Sequence, residues 1–280
     1  MSSIPDRYTR ELHEKYKYLA CWLPSTPLAL GDVGLISQHR FRKVTSLDEL
    51  GIPFTKDAES KTVDLDYSSA DCVALTADTR LDDPTADVMT NLSITFDRGG
   101  ATLFQASGCV QETVGNLLAL QDALRERYAD KTWRSEYVVV TEVVRTGPTA
   151  ILVSEQHGAQ MNLRVRAGGL GGPLAVAGAL GKYTVTAKSG IAASVLAPDG
   201  ATPLFQAVQL RRRLVGPPRL VFRADEDEDG DDEYEDEYAY EGAGAAGAGL
   251  RGGPDGPADL ELAPVTWTDC VPAQSGPLEG

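Results

Sequence analysis

The chain has 280 residues and a formal net charge of −15, with 42% hydrophobic and 24% charged residues, a composition typical of soluble globular proteins. No apolar run reaches the roughly 18 to 20 residues that a membrane-spanning helix needs, and the first ten residues lack the apolar core of a secretory signal. We therefore expect a cytoplasmic protein. The four cysteines are scattered and form no C-x-x-C pair, which predicts free thiols in a reducing compartment: Cys21, Cys72, Cys109 and Cys270.

The first predicted element is an N-terminal helix. Ser3 can cap it, and Pro5 and Asp6 suit its first turn. One apolar face carries Tyr8, Leu12, Tyr16 and Leu19 at helical spacing. Pro24 and Pro27 end the pattern, so the helix is expected to stop before them.

Short β-like segments follow, and then a second helix. The predicted strands cover 28–36, 40–44, 62–67, 72–77, 93–96 and 102–105. The residues 97–100, Asp-Arg-Gly-Gly, predict a hairpin between the last two strands. The helix is predicted over 112–128, with one broad apolar face formed by Val114, Leu117, Leu118, Leu124 and Tyr128.

The strongest β pattern lies between residues 137 and 188. Strands are predicted over 137–145 and 150–154, separated by Gly147-Pro148, and His157-Gly158 marks the next turn. In 160–166 apolar and polar residues alternate without a fault, and 182–188 repeats the pattern. The apolar face holds Met161, Leu163, Val165, Tyr183, Val185 and Ala187. The polar face holds Gln160, Asn162, Arg164, Arg166, Lys182, Thr184, Thr186 and Lys188. Such strands favour an antiparallel sheet with one packed face and one wet face.

Charge divides the chain sharply. Residues 224–280 hold 17 acidic residues and one basic residue, a net of −16, and residues 150–223 hold nine basic and two acidic residues, a net of +7. We therefore predict an α+β fold over 1–223, a mainly antiparallel twisted sheet with a few helices, followed by an acidic, low-complexity, disordered tail over 224–280. Within that tail, a small apolar cluster could dock on another surface: Leu260, Leu262, Val265 and Trp267.

Motifs for phosphate, metal or cofactor binding are not supported by the residues. Gly181-Lys182 has Tyr183 where a phosphate loop needs Ser or Thr, and Val176 where it needs Gly. The run from Asp225 to Asp236 resembles a calcium loop, but it lacks the final Glu and flanking amphipathic helices. Cysteine and histidine also lack zinc-ligand spacing. No cofactor or metal site is predicted.

For nucleophilic catalysis the pair worth naming is Cys109 with His157, because a thiolate needs a nearby base. Cys109 precedes the predicted helix, where its pKa could be lowered. A structural cysteine and a turn histidine are the commoner explanation. We therefore expect a protein that is not an enzyme.

The basic region is the candidate contact surface. Its residues are predicted to meet anionic lipid headgroups or a partner: Arg164, Arg166, Lys182, Lys188, Arg211, Arg212, Arg213, Arg219 and Arg223. Nucleic acid is not expected as a partner, because aromatic residues are not interleaved with these cations and an acidic run follows them.

The order of these elements resembles the N-terminal, pore-forming domain of gasdermins. The stretch Leu28-Ala29-Leu30-Gly31-Asp32-Val33 is similar to an early gasdermin strand, and residues 136–162 resemble the hairpin after the central helix. The resemblance covers about residues 1 to 215. It implies a pore-forming protein, whose strands alternate apolar and polar faces because a membrane barrel satisfies its backbone internally.

Two functional hypotheses follow. The first is a membrane-active effector, held soluble in the cytoplasm while the acidic tail masks the basic region 150–223, with a protease or another protein as trigger. It would then move to the inner face of an anionic membrane and assemble as a homo-oligomer. The second is a soluble interaction module whose acidic tail serves solubility or the recruitment of a partner protein.

Overall fold

The computed structural model describes residues 3–80, 89–166, 183–212 and 260–271. Within these ranges the chain forms two α-helices, sixteen β-strands and a 3₁₀ helix over Trp267–Cys270. The elements are, in chain order, α1 (Ile4–Tyr16), β1 (Leu19–Ala20), β2 (Asp32–Ser37), β3 (Arg40–Ser46), β4 (Ser60–Lys61), β5 (Leu65–Ser68), β6 (Val73–Arg80), β7 (Met89–Phe96), β8 (Thr102–Ala106), β9 (Val110–Thr113), α2 (Leu117–Ala129), β10 (Val138–Thr146), β11 (Thr149–Ser154), β12 (Ala159–Arg166), β13 (Tyr183–Ser189), β14 (Ile191–Ala197), β15 (Ala201–Arg212) and β16 (Leu260–Pro264).

The N-terminal helix begins as the sequence predicts. The Ser3 hydroxyl accepts a hydrogen bond from the Asp6 backbone N–H at 3.3 Å, and a proline occupies the first turn. Tyr8 and Leu12 are fully buried on the predicted apolar face. The helix ends at Tyr16, and Lys17 caps it with a left-handed backbone (φ +64°) that turns the chain toward β1.

The strands form three sheets, in which every strand pair is antiparallel. The large sheet has eight strands, with β1, β15, β10, β2 and β3 in that order, β16 beside β15, and β9 and β4 beyond β10. The middle sheet has the order β14-β11-β8-β5, and the outer sheet has the order β13-β12-β7-β6. The predicted α+β class with a mainly antiparallel sheet is confirmed.

The middle sheet lies between two layers. One of its faces packs on the outer sheet, where Leu103 and Leu152 meet Ile94, Phe96 and Met161. The other face packs on α1, where its own residues Phe104, Ile151 and Val153 meet Tyr8 and Leu12. Because both faces are covered, every residue of β8 and β11 is buried. This arrangement holds the outer sheet against the rest of the molecule by one apolar face.

The large sheet carries the third core. Its central strands contribute an almost continuous valine run that packs on α2 through Leu120 and Leu124. Trp133, in the connection after α2, is buried in the same cluster. Residues 260–271 also enter this core, and we call them the C-terminal segment.

Three predicted turns connect strands of different sheets, and one of them is His157-Gly158, between β11 and β12. Residues 97–100 lead from β7 in the outer sheet to β8 in the middle sheet, so the predicted hairpin is wrong. Gly147-Pro148 likewise leads from β10 in the large sheet to β11 in the middle sheet. Turn residues specify a reversal of the chain, whereas side-chain burial decides which neighbour each strand pairs with.

The second helix starts later than predicted. Residues 110–113 form β9, which pairs with β10 and β4, and α2 begins only at Leu117. Pairing with the sheet overrides the helical pattern here. Residues 191–197 and 201–212, to which the sequence assigned no element, form β14 and β15.

The C-terminal segment corrects the predicted extent of the tail. Residues 260–271 lie inside the range assigned to a disordered tail, yet they form β16 and the 3₁₀ helix. They therefore belong to the folded domain. The predicted boundary at 223 and the acidic run that follows it lie outside the described residues.

Candidate functional site: the C-terminal segment and the outer sheet

The C-terminal segment adds a strand to the edge of the large sheet. β16 pairs antiparallel with the far half of β15, with Val208 opposite Pro264 and Arg212 opposite Leu260. The near half of β15 is already covered by the short strand β1. The segment thus satisfies backbone groups of β15 that would otherwise form an open edge.

Two side chains of α2 hold the start of the segment. The Arg125 Nε donates a hydrogen bond to the Leu260 carbonyl at 2.6 Å. The Gln121 Oε1 accepts one from the Leu262 backbone N–H at 2.9 Å. These bonds fix β16 from the side opposite β15, so the strand is held along both of its edges.

The 3₁₀ helix is fixed by its own cap and by the basic end of β15. The Asp269 carboxylate accepts from the Thr266 backbone N–H at 2.7 Å and from the Thr266 hydroxyl at 2.8 Å. Arg211 Nη2 lies 2.9 Å from Asp269 Oδ1. Burial raises the pKa of Asp269, but the hydrogen bonds from Thr266 and Arg211 outweigh it, so the pKa lies below its ordinary value.

Apolar side chains anchor the segment in the core. Leu260, Val265 and Cys270 are all buried. Trp267 is partly buried, and its Nε1–H donates to the Thr9 hydroxyl at 3.1 Å. The predicted docking cluster of Leu260, Leu262, Val265 and Trp267 therefore packs on the chain's own large sheet and α1.

His39 connects the segment to two other elements. Its ring stacks on the Trp267 indole, with centroids 5.4 Å apart and planes 24° apart. Its backbone N–H donates to the Cys270 carbonyl at 3.2 Å, and its carbonyl accepts from the Trp22 N–H at 2.7 Å. Its Nε2 lies 3.4 Å from the Asp6 carboxylate on α1.

The outer sheet has two chemically distinct faces. Its two central strands bury an apolar face against the middle sheet, formed by Leu92, Ile94, Phe96, Met161, Leu163 and Val165. The opposite face carries polar residues in rows across the sheet, since Ser93 pairs with both Thr76 and Asn162. Within that row the Ser93 hydroxyl donates to the Asn162 side chain at 2.8 Å.

The predicted basic residues lie in two separate places. Arg164 is exposed on the polar face of the outer sheet, whereas Arg211 and Arg212 end β15 in the large sheet. Arg166 ends β12 opposite Met89. The remaining predicted residues Lys182, Arg213, Arg219 and Arg223 lie outside the described residues. The structure therefore does not bring the described cations into one patch.

Lys188 departs from the predicted cationic face. A bulge between Asn162 and Leu163 shifts the register, so Lys188 lies opposite the buried Met161. Its Nζ donates to the Ser194 hydroxyl of β14 at 2.7 Å. Alternation read along a strand cannot detect such a bulge, because the extra residue reverses the face of everything beyond it.

The cysteine and histidine considered for catalysis sit in different surroundings. Cys109 precedes a strand, not a helix, and burial beside Asp64 raises its pKa to about 11. His157 is exposed and its Nδ1 contacts the Asp97 carbonyl.

Within the described ranges there is no group of three His, Cys, Asp or Glu side chains that could hold a metal ion. None of the helices in those ranges is long and apolar enough to cross a membrane.

Comparisons with known proteins do not identify a family for this chain. No family model matches the chain, and no curated protein matches it. Among solved structures, the chain is similar to one in the cryo-EM structure of the gasdermin A3 membrane pore, with 11% sequence identity and a TM-score of 0.33, over 76% of this chain and 92% of that chain. The resemblance is one of fold, and it is weak. Similarity at this level does not show the family.

Residues that the sequence did not single out complete the site. Asp269, Gln121 and Arg125 clamp the C-terminal segment, and His39 stacks on it. A usable signal did exist for Asp269, since Thr266 with Asp269 three residues later is a capping box. The contacts to Gln121, Arg125 and His39 span more than 130 residues and leave no local pattern.

Proposed function

We propose that the protein is a non-enzymatic, membrane-active effector that is kept in a soluble form by its C-terminal segment. In the active form the outer sheet would leave the middle sheet, and its two hairpins, β6–β7 and β12–β13, would enter an anionic bilayer as part of a pore. The proposal rests on the outer sheet, whose central strands β7 and β12 carry a mainly apolar face on one side and a polar face on the other.

A membrane barrel needs strands with one face for lipid and one for water. In the outer sheet the apolar face is buried only by contact with the middle sheet, and the polar face is free of that contact. The strands β6, β7 and β12 have eight residues each, close to the roughly 9 to 11 that a tilted transmembrane strand uses. The sequence that links β12 to β13 carries no charged residue from 167 to 181.

A pore of this kind requires several copies. Among the residues that the structure describes, the outer sheet has four strands, and its edge strands β6 and β13 each pair on one side. Because lipid cannot satisfy open backbone groups, a barrel must close on itself. Copies of the chain would therefore associate through these edges, which is why we include a homo-oligomer in the proposal.

The C-terminal segment supplies the proposed restraint. It covers β15 and meets α1, α2 and the β2–β3 turn at once. The link from 213 to 259 holds 14 acidic and four basic residues, a net of −10, and would repel anionic headgroups near the basic end of β15. Cutting this link by a protease would leave the segment held by non-covalent contacts alone.

The test compares the chain before and after a single cut. A protease site is inserted in the Gly/Ala-rich stretch 242–249, and dye release is measured from anionic and from neutral vesicles at low and high salt. We expect release only from the cut chain, mainly from anionic vesicles, and less at high salt. The same protease acting on the chain without the site is the control.

Two results would contradict the proposal: equal release by intact and cut chains, or no release by either. The second result would favour a soluble interaction module. Exposed apolar side chains such as Leu118 and Val63, each 79% exposed, are compatible with such a partner surface.

A further inference from the structure

His39 lies where three parts of the chain meet. One side of its ring faces the Trp267 indole of the C-terminal segment, and its Nε2 faces Asp6 of α1. Its backbone forms hydrogen bonds with the backbones of both Cys270 and Trp22. A change in the protonation state of this ring therefore alters contacts that hold residues 260–271 in place.

The backbone of His39 is held in an unfavourable conformation. The β2–β3 connection is a two-residue turn between Ser37 and Arg40, with φ of +50° at Gln38 and +60° at His39. Such turns favour Asn and Gly, because residues other than Gly are uncommon at positive φ. Strain of this kind is concentrated at functional positions. The contacts that His39 makes give a reason for its presence there.

The environment of the docked His39 ring favours the neutral form, which carries one proton. His39 is 5% exposed, and its buried Nδ1 has no hydrogen-bond partner among the residues that the structure describes. In the neutral ring we place the proton on Nε2, which faces Asp6. A second proton would then go to Nδ1, to which the described residues offer no acceptor. A buried charged donor without an acceptor is costly. Burial accordingly lowers the pKa of His39 despite the opposing charge of Asp6.

The neighbouring titratable groups do not change this direction. Asp6 is the carboxylate that reaches the ring, whereas Asp269 is engaged by Thr266 and Arg211. Burial raises the pKa of both the Cys21 and the Cys270 thiol to about 12, so both stay neutral. On its own hairpin, Arg40 is exposed. The Trp267 face attracts a cation weakly, but it offers Nδ1 no acceptor.

We propose that His39 is a proton-sensitive latch, whose protonation weakens the docking of residues 260–271. When the segment leaves, the ring loses its Trp267 cover and returns toward the ordinary pKa of 6.5. The docked state then binds fewer protons than the released state below that pH. Docking is therefore at full strength above pH 6.5 and weakens as the pH falls below it.

The latch concerns the docked segment, not membrane activity, so it stands or fails separately from the proposed function. Its size follows from linkage, since each pKa unit by which docking lowers the pKa of His39 changes the docking equilibrium tenfold. The effect stops growing once the pH is below the pKa of the docked ring.

The test is hydrogen–deuterium exchange of the full-length chain at pH 7.5 and pH 5.5, corrected for the intrinsic exchange rate. We expect the opening constant of residues 260–271 to rise several-fold to about tenfold at pH 5.5. Amides of β8 and β11 in the middle sheet, whose residues are all buried, serve as an internal reference. His39→Asn should remove the pH dependence, because Asn tolerates positive φ and does not titrate in this range.

Two matched variants separate His39 from the other histidines. His157→Asn changes an exposed turn histidine far from the segment, and His13→Gln changes a histidine of α1 that lines a small cleft beside Pro264 and Val265. Both variants should keep the pH dependence. Asp6→Asn should leave the onset near pH 6.5 and shift the levelling-off of the opening constant to lower pH, because it removes the charge that favours protonation of the docked ring.

Three results would overturn the latch. They are a wild-type opening constant that does not rise at pH 5.5, a pH dependence that survives in His39→Asn, or one that disappears in His13→Gln. If His39→Asn does not fold, the wild-type pH series and the shift in Asp6→Asn still decide the question.

Discussion

Asp269 shows how one side chain can stabilise a docked segment from two directions. Its carboxylate caps its own 3₁₀ helix through Thr266 and pairs with Arg211 of β15. A charged acceptor with several donors is worth more than a single exposed ion pair. Arg211 is 37% exposed, however, so solvent screens part of that pair.

Asp269→Asn should weaken docking of the C-terminal segment by about 1 kcal/mol, roughly a five- to tenfold rise in its opening constant. The lowered pKa means that this contribution is present above the ordinary value of 3.8 and is lost as the pH falls below it. That window lies well below the one expected for His39. Hydrogen exchange of residues 260–271 at pH 7 measures the change.

Asp122→Asn is the matched control for Asp269. Asp122 pairs with Arg125 three residues along α2, and its side chain is 71% exposed. An exposed pair of this kind contributes little, so the variant should leave the opening constant unchanged. Equal effects from the two variants would mean that total charge, and not the geometry at Asp269, holds the segment.

At the scale of single residues, the sequence does not identify contacts. Arg211 was predicted to meet lipid headgroups or a partner, and in the structure it pairs with Asp269 of its own chain. Lys188 was placed on the wrong face because a bulge is invisible in the alternation. His39 carried no signal at all, since its partners Asp6 and Trp267 are 33 and 228 residues away.

Among the elements, the edge strands of the outer sheet offer the sharpest test of membrane insertion. Leu75 of β6 lies opposite the buried Ile94, on the apolar face, yet it is 41% exposed because β6 is an edge. Its neighbour Thr76 lies opposite Ser93, on the polar face. The two positions thus share a strand and differ only in the face they occupy.

Leu75→Lys should abolish dye release by the cut chain and lower the free energy of unfolding of the soluble form by no more than about 1 kcal/mol. A lysine on the lipid face of a barrel costs roughly 2 to 4 kcal/mol near the bilayer midplane, in every copy. Thr76→Lys should keep dye release, because its side chain would face water. Chemical denaturation and vesicle leakage of both variants give the comparison.

If both lysine variants release dye equally, the outer sheet does not insert with this face toward lipid. A second pair repeats the test at the other edge. Val185 of β13 lies opposite the buried Leu163 and is 42% exposed, whereas Thr184 lies opposite Arg164 on the polar face. The lysine substitutions at Val185 and Thr184 should differ in the same direction.

Strands with clear alternation were predicted well, but their membership of a sheet was not. The residues 160–166 and the strand after them form a pair, as their patterns predict. The turn at 97–100 was expected to join two paired strands, and it instead passes from one layer to the next. A period of two shows that a strand has two different faces, and it does not identify the strand beside it. Helix α2 lost its predicted first turn for a related reason, because residues 110–113 found a partner in β10.

For the whole molecule, the order of charged segments could be read from the sequence, whereas the place where residues 260–271 dock could not. The acidic run and the apolar cluster after it could both be recognised in the sequence. That the cluster returns to β15 depends on an open strand edge, and an edge exists only once β1, β10 and β15 are assembled. The 47 residues from 213 to 259 join the two partners of this pairing.

The C-terminal region could restrain the protein through the docked residues 260–271 or through the acidic residues that precede them. A peptide added in trans can separate these two possibilities. While the link is intact, docking is intramolecular, so the effective concentration of residues 260–271 at β15 is independent of the protein concentration. After a cut at 242–249 the segment can dissociate at micromolar protein, and dilution should increase dye release. A synthetic peptide of residues 260–271 should then suppress release and bind the cut chain, as fluorescence anisotropy would measure independently.

The peptide carrying Trp267→Ala and Asp269→Asn is the control for this experiment. It keeps the β16 strand but loses the stack on His39, the bond to Thr9 and the pair with Arg211, so it should bind at least tenfold more weakly. A peptide of residues 224–241 tests the acidic link instead. If that peptide suppresses release in a salt-sensitive way while residues 260–271 have no effect, the restraint is a screening polyanion. The docked strand would then be a structural element without a regulatory role.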